Sequence, residues 1–167
     1  MKLALVTDAF PPLRTSGAVQ LRDLARDFSR QGHALPVFLP DSTLDRRWVE
    51  QDCDGVRVVR LRAPRTKDIG YVRRTLGEWM MPYAMRYNLM RSPFSSQTWD
   101  GVAWYSPSIF HTPFVTKLTK TSGCLNYLII RDIFPDWAVE LGLMRPGIVF
   151  RLFRKIAHQQ YRAADVI

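Results

Sequence analysis

Short apolar segments alternate with longer segments of helical periodicity along this chain, and no other sequence feature constrains the fold as strongly. Leu3–Val6 is typical of a buried parallel strand, and from Ala18 to Gly32 apolar side chains recur every three or four residues. This order predicts an α/β fold, a parallel sheet with helices on both faces. The other predicted strands are His33–Leu39, Val56–Leu61, Trp99–Tyr105 and Leu125–Ile130, and the other predicted helices are Ile69–Met90, a segment near Phe114–Thr121, and Gly147–Ala164.

The apolar pattern also predicts where some strands lie in the sheet. In Val56–Leu61, arginines alternate with apolar residues, so we expect an edge strand or a half-exposed one. Leu125–Ile130 is the most apolar strand and is expected at the centre. Residues 164–167 have the pattern of a sixth strand beginning, and Pro82 is expected to kink its helix.

Length and composition exclude several classes of protein. A chain of 167 residues can form one domain with a real core. No apolar run approaches the roughly 18 residues that span a bilayer, and Asp8 interrupts the first run too early for a signal peptide. Cys53 and Cys124 stand alone in the sequence, which gives neither a zinc motif nor a disulfide framework. A cytoplasmic protein is therefore expected.

The net charge of +9 is concentrated in one part of the chain. Residues 56–91 contain nine basic and two acidic side chains, whereas residues 1–55 are nearly neutral. Such a segment predicts an anionic partner: nucleic acid, an anionic membrane face or a phosphorylated substrate. The sequence has no nucleic-acid-binding motif, and the aromatic residues of this segment follow helical spacing, so nucleic acid is not expected.

The helix predicted within this basic segment carries arginines beside a stripe of large apolar residues. One interpretation is a surface that meets anionic lipid, with Arg73, Arg74 and Arg86 at the headgroups and Trp79 at the interface. The other interpretation is that the stripe packs on the core. The stripe consists of Val72, Leu76, Trp79, Met80, Tyr83, Tyr87 and Met90.

Ligands of parallel α/β sheets bind where the strands end, which directs attention to three loops. In the first, Ser16 and Gly17 stand at the start of a predicted helix, whose free N–H groups can hold a phosphate or carboxylate. The alternative is a helix cap with a turn glycine. The three loops are Asp8–Gly17, Tyr105–His111 and Arg131–Trp137.

The other two loops supply charged and polar candidates. Asp132 can accept hydrogen bonds from sugar hydroxyls or act as a base, and Arg131 can bind phosphate through two parallel hydrogen bonds. The alternative is a solvated ion pair before a proline turn. His111 can donate to a substrate phosphate, or it is merely polar surface.

Lys2–Leu39, which contains PPLRTSGAVQLRDLARDFSRQGH, resembles the start of a family 4 glycosyltransferase of the GT-B fold. The later segments RDIFPDWAVELGLM and YRAADVI are similar to the second half of the same N-terminal domain. The subgroup that they resemble builds bacterial surface polysaccharide, either lipopolysaccharide O-antigen or capsule.

The resemblance implies that residues 1–167 form a single Rossmann-like, acceptor-side domain, and that a C-terminal donor-binding domain is absent from this chain. It implies a retaining hexosyltransferase with a nucleotide-sugar donor and no metal or other cofactor. Asp132 would touch the reacting sugars, and Gly17 would lie near the donor. Ser106, His111 and Arg131 would line the acceptor side.

The resemblance also implies a partner and a location. The acceptor would be a lipid-linked saccharide at the cytoplasmic face of the inner membrane, where a peripheral enzyme would use its basic segment. Two other classes stay open: a non-catalytic membrane- or partner-binding subunit of a split glycosyltransferase, and a free-standing nucleotide-binding α/β module. The absence of a GxGxxG motif counts against the second of these.

Overall fold

The computed structural model describes residues 1–167 and contains six strands and five helices. All five predicted strands and all four predicted helices are present. The strands are β1 (Leu3–Val6), β2 (Val37–Asp41), β3 (Trp48–Cys53), β4 (Val56–Arg62), β5 (Gly101–Ser106) and β6 (Leu125–Ile130). The helices are α1 (Ser16–Arg30), α2 (Tyr71–Leu89), α3 (Thr112–Ser122), α4 (Asp136–Glu140) and α5 (Ile148–Ala163).

The strands form one sheet in the order β3-β4-β2-β1-β5-β6, and every neighbouring pair is parallel except β3 and β4. β1 lies inside the sheet with a parallel neighbour on each side. Its register pairs Leu5 with Val37 of β2 and with Ala103 of β5. The predicted parallel sheet is thereby confirmed.

Two cores lie on opposite faces of this sheet because successive side chains of a strand point in opposite directions. Ala4 and Val6 belong to a core of 17 buried residues that α2 and α3 cover. Leu5 belongs to a core of 10 buried residues that includes Leu21 and Ala25 of α1. The helices therefore cover both faces, as predicted.

β3 is a strand that the apolar pattern does not reveal, because most of its side chains are exposed and polar. It pairs antiparallel with β4 through a turn in which Asp54 and Gly55 have φ values of 56° and 82°. Asp-Gly is the signature of such a two-residue hairpin turn. Because β3 covers its outer side, β4 is not an edge strand, and its arginines mark a half-exposed strand instead.

β6 is the last strand on its side of the sheet, so the prediction that it is central is wrong. Its apolar composition is misleading because Leu125 and Tyr127 are 68% and 49% exposed. A single parallel bridge between Tyr127 and Val166 lies beyond β6. Within the structure, the predicted sixth strand at residues 164–167 is therefore limited to this bridge.

α2 continues without interruption through Pro82 and buries only a narrow face. The whole predicted stripe lies on the other side, where each member is about half exposed or more. The interpretation of the stripe as core packing is therefore wrong. The buried face instead consists of Gly77, Met81, Pro82, Met85, Asn88 and Leu89.

Gly77 allows α2 to approach the segment that leads into it. A Cβ atom at Gly77 would lie 2.6 Å from the carbonyl oxygen of Arg65. This distance is far below any ordinary contact, and the atom encountered is backbone. The position therefore requires glycine for close approach.

We predict that Gly77→Ala lowers the free energy of unfolding by about 1–3 kcal/mol through overpacking, although alanine favours helices. Gly70→Ala is the matched control, because a Cβ atom at Gly70 would meet nothing within 4 Å. Urea unfolding of both variants measures the effect. Equal stabilities for the two variants would contradict the proposed contact.

Candidate functional site

The carboxyl ends of the five parallel strands meet at one edge of the sheet, which we call the strand-end edge. Thr7 and Asp8 follow β1 there, Ser106 ends β5, and Arg131 and Asp132 follow β6. The side chains then separate onto the two faces of the sheet, where they form two groups.

The first group lies on the α1 face and joins three elements. The Arg131 side chain donates through Nη2 to Ser16 Oγ at 2.7 Å and through Nη1 to the Tyr105 hydroxyl at 3.5 Å. The residue that caps α1 is Thr15, whose Oγ1 accepts from the Ala18 N–H at 3.3 Å. Thr15 therefore caps α1, and the Ser16 hydroxyl is free to accept from the Arg131 guanidinium at the start of the helix.

Gly17 belongs to the same group, but a side chain occupies the space that we expected a ligand to use. A Cβ atom at Gly17 would lie 2.6 Å from the Tyr105 hydroxyl and 3.4 Å from Arg131 Nη1. Glycine is thus required for the approach of Tyr105. Sequence analysis did not identify Tyr105 as a site residue, although it opens one of the three selected loops.

We predict that Gly17→Ala lowers the free energy of unfolding by about 1–3 kcal/mol, because the new methyl group meets the Tyr105 hydroxyl. In a Tyr105→Phe background the cost should be smaller, because the closest atom is removed and the next lies 3.2 Å away. A double-mutant cycle in urea measures this coupling. Additive effects would contradict the assigned contact.

The second group lies on the α2 and α3 face and centres on Asp8. Asp8 Oδ1 is buried without a hydrogen-bond partner, and Lys67 Nζ donates to the Asp8 carbonyl oxygen at 3.4 Å. Burial raises the pKa of Glu78, and the negative charge of Asp8 adds to this increase. The hydrogen bond and positive charge of Arg74 act in the opposite direction. Two carboxylates and two cations therefore lie close together, although the chain separates Asp8 from Glu78 by α1 and three strands.

His111 lies just before α3 and is completely buried, so the interpretation as polar surface is wrong. Neither ring nitrogen has a hydrogen-bond partner. Burial lowers the pKa of His111, and the negative charge of Asp8 opposes that shift. The ring is held neutral beneath the strand-end edge, and its predicted contact with substrate stays a prediction.

This burial predicts how stability depends on pH. In the unfolded chain the His111 pKa returns to about 6.5. Below that pH the imidazole is protonated in the unfolded state but not in the folded state, and this protonation stabilises the unfolded state. The free energy of unfolding should fall as the pH drops through 6.5, by up to about 1.4 kcal/mol per unit of pKa difference.

His111→Phe and His111→Gln remove this titration, so both variants should lose less stability than the wild type between pH 7.5 and pH 5.5. Urea unfolding at several pH values provides the comparison. Parallel pH profiles for all three proteins would refute the assignment.

A cleft of about 640 Å³ opens along the strand-end edge beside β2 and β4. Asp8 and Asp41 line it together with the hydroxyl residues Ser42 and Thr43. Arg60 also lines it, is largely buried, and donates to the Pro11 carbonyl oxygen at 3.0 Å. The cleft has the size and the mixed polarity of a small-molecule site. Sequence analysis selected the loop Asp8–Gly17, which supplies one wall of the cleft, but missed the walls that follow β2 and β4, because those segments carry no motif.

The remaining predicted residues are not all brought together. Asp132 is exposed and makes no hydrogen bond or ion pair, so the interpretation of Arg131 and Asp132 as an ion pair is wrong. Arg131 turns toward Ser16 instead. Ser106 is buried, with 2% of its surface exposed, at the end of β5.

The predicted lipid-facing residues lie along α2. Arg73, Trp79 and Arg86 are exposed, and no acidic group pairs with either arginine. Arg74 differs, because its Nε donates to Glu78 Oε1 at 2.9 Å, which compensates its charge. No helix has both the length and the apolar character needed to cross a membrane. No group of three or more His, Cys, Asp or Glu side chains is arranged to hold a metal ion.

Comparison with known proteins gives matches in structure alone. No family model and no curated protein sequence matches the chain. The chain superposes on sucrose-phosphate synthase from Thermosynechococcus elongatus with a TM-score of 0.65 and 10% identity, covering 98% of this chain and 41% of that one. It superposes on the catalytic domain of starch synthase IV from Arabidopsis thaliana, bound to ADP and acarbose, with a TM-score of 0.53 and 13% identity, covering 78% and 34%.

The chain spans less than half the length of either enzyme. Both are GT-B glycosyltransferases, and likeness at such low identity establishes a shared fold. The predicted fold class is therefore confirmed: this chain has the Rossmann-like α/β fold found in GT-B glycosyltransferases.

Proposed function

We propose that this chain is the acceptor-binding, N-terminal part of a retaining family 4 glycosyltransferase that takes part in bacterial surface polysaccharide synthesis. The complete enzyme would transfer a hexosyl group from a nucleotide sugar to a lipid-linked saccharide. The observation that carries this proposal is the group of Ser16, Gly17, Tyr105 and Arg131 at the strand-end edge, on a fold that glycosyltransferases share.

Arg131, which the resemblance places on the acceptor side, is also suited to the leaving group of such a reaction, because a guanidinium binds phosphate through two parallel hydrogen bonds. Its guanidinium is exposed, and Ser16 holds it at the start of α1, where the helix dipole is also positive. A donor bound between this domain and a donor-binding domain would place its diphosphate near these positive groups. They would stabilise the negative charge that develops when the bond from sugar C1 to the diphosphate oxygen breaks.

Asp132 is suited to the acceptor because its carboxylate is exposed and has no partner in the chain. It would accept a hydrogen bond from the attacking hydroxyl and orient it toward C1, whose transition state resembles an oxocarbenium ion. The carboxylates of Asp8 and Asp41 line the cleft beside β2 and β4, where Asp41 pairs with Arg60 at 3.5 Å. The hydroxyls of the acceptor saccharide would bind along this polar wall.

The surface of α2 supports attachment to the cytoplasmic face of the inner membrane. Its half-exposed aromatic residues and uncompensated arginines combine apolar contact with attraction to anionic lipid. α2 begins close to the second group of the site, because Lys67 and Glu78 both lie near Asp8. A lipid-linked acceptor at this surface would therefore reach the strand-end edge.

We predict that Asp132→Asn, in a protein that joins this chain to its donor-binding domain, lowers sugar transfer about 100-fold if the carboxylate acts as a base or stabilises charge. Asp27→Asn on the exposed face of α1 is the control and should retain wild-type transfer. Steady-state assays with donor and acceptor varied separately provide the measurement, with far-UV circular dichroism as a check on folding.

The kinetic constants distinguish two roles for Asp132. A loss confined to the acceptor KM would show that Asp132 only binds the acceptor hydroxyl, whereas a lower kcat indicates a role in the transition state. Wild-type kinetics with both substrates would reject the assignment of Asp132. Sugar transfer by the 167-residue chain alone would reject the two-domain proposal.

A further inference from the structure

A polar groove of about 560 Å³ runs between α2 and α3, away from the strand-end edge cleft. Its lining contains no hydrophobic residue and no acidic residue. Three cations line it, Arg86 from α2 and Lys117 and Lys120 from α3. The hydroxyl residues Thr112 and Thr116, which precede Lys117, and Thr121, which follows Lys120, line the groove from the same helix.

The positive charge of this groove has no counterpart within the chain. None of its three cations makes a salt bridge or a side-chain hydrogen bond. α3 has no acidic residue, and the only one in α2, Glu78, is already bound to Arg74. Three like charges that share one groove repel each other, and a bound anion would relieve that repulsion.

The composition of the groove favours a phosphate group as the anion. Lysine and arginine attract its charge, and the Thr116 hydroxyl can donate to its oxygen atoms, whereas the Thr121 hydroxyl already donates to the Lys117 carbonyl oxygen. No residue that lines the groove is hydrophobic, so it offers no apolar pocket for the base of a nucleotide or for an acyl chain.

The neighbouring surface identifies the source of that phosphate. Arg86 belongs to the same helix as Trp79, Tyr83, Tyr87 and Met90, each of which is about half exposed. Aromatic side chains favour the boundary between lipid headgroups and acyl chains, where basic residues meet the phosphates. A groove with phosphate chemistry beside such a surface matches an anionic bilayer better than a soluble phosphate.

We propose that the groove formed by Arg86, Lys117 and Lys120 is a binding site for the phosphate headgroup of an anionic phospholipid, and that it fixes α2 and α3 against the membrane. This inference rests on the membrane attachment included in the proposed function. It adds α3 to the membrane surface, which sequence analysis confined to residues 56–91.

The test is cosedimentation of the 167-residue chain with vesicles of phosphatidylcholine alone and of equal parts phosphatidylcholine and phosphatidylglycerol. The groove variant is Lys117→Gln/Lys120→Gln. The control variant, Arg30→Gln/Lys155→Gln, removes the same charge from exposed positions on α1 and α5. Thermal unfolding of both variants checks that the fold is retained.

We expect the groove variant to bind the anionic vesicles about 25-fold more weakly, which corresponds to about five-fold for each lysine near the surface. The control variant should bind like the wild type, because neither of its two charges lines the groove. Glycerol phosphate, added at the same phosphate concentration as the lipid, should not release the wild-type protein.

Four results would overturn the headgroup site. Equal weakening of both variants would mean that net charge alone attracts the chain. Unchanged binding of the groove variant would mean that the lipid contacts lie elsewhere on α2, and membrane attachment would still stand. Release by glycerol phosphate would assign the groove to a soluble phosphate. Wild-type binding that does not depend on phosphatidylglycerol would refute both the site and the proposed attachment to an anionic membrane.

Discussion

The burial of β1 on both of its faces is the constraint on which the rest of the structure depends. Ala4, Leu5 and Val6 have no exposed surface, and their backbone groups pair with strands on both sides. A charged side chain within this strand would be buried without water or a partner, which is costly. Polar chemistry on β1 therefore begins only after the strand ends, at Thr7 and Asp8, and on the neighbouring strands β2 and β5 it is confined to the last residues, Asp41, Tyr105 and Ser106.

Two separate groups of polar residues result from this constraint, one on each face of the same edge. Tyr105 points to the α1 face, where it meets Gly17 and Arg131, whereas Asp8 lies with Glu78 on the α2 face. The alternation of side chains along a strand accounts for this division. A ligand that crosses the edge would meet a fixed guanidinium on one side and carboxylates on the other, which fits a diphosphate donor beside a saccharide acceptor.

The exposed surface of α2 and α3 is a second feature of the structure, which packing in the core does not explain. α2 contributes a narrow face to the core, and its larger apolar side chains remain exposed beside uncompensated cations. Large exposed apolar surfaces on a folded protein usually mark a site of interaction. Because α2 starts near Asp8 and Lys67, attachment through this surface would hold the strand-end edge close to the headgroups of a bilayer.

The sequence by itself determined the five parallel strands, the four longer helices and the loops that carry the candidate site, because each follows from local periodicity and from the rule that ligands bind at strand ends. Ser16, Gly17 and Arg131 were predicted on that basis, and the structure brings them together. Only the tertiary structure decided which groups face one another. Glu78 lies near Asp8 because α2 packs over β4, and His111 is completely buried; neither sequence segment shows this. The apolar composition of β6 predicted a central strand, but β6 lies at the edge of the sheet. Composition measures only how favourable burial is for each side chain, whereas the position of a strand depends on which other strands and helices pack against it.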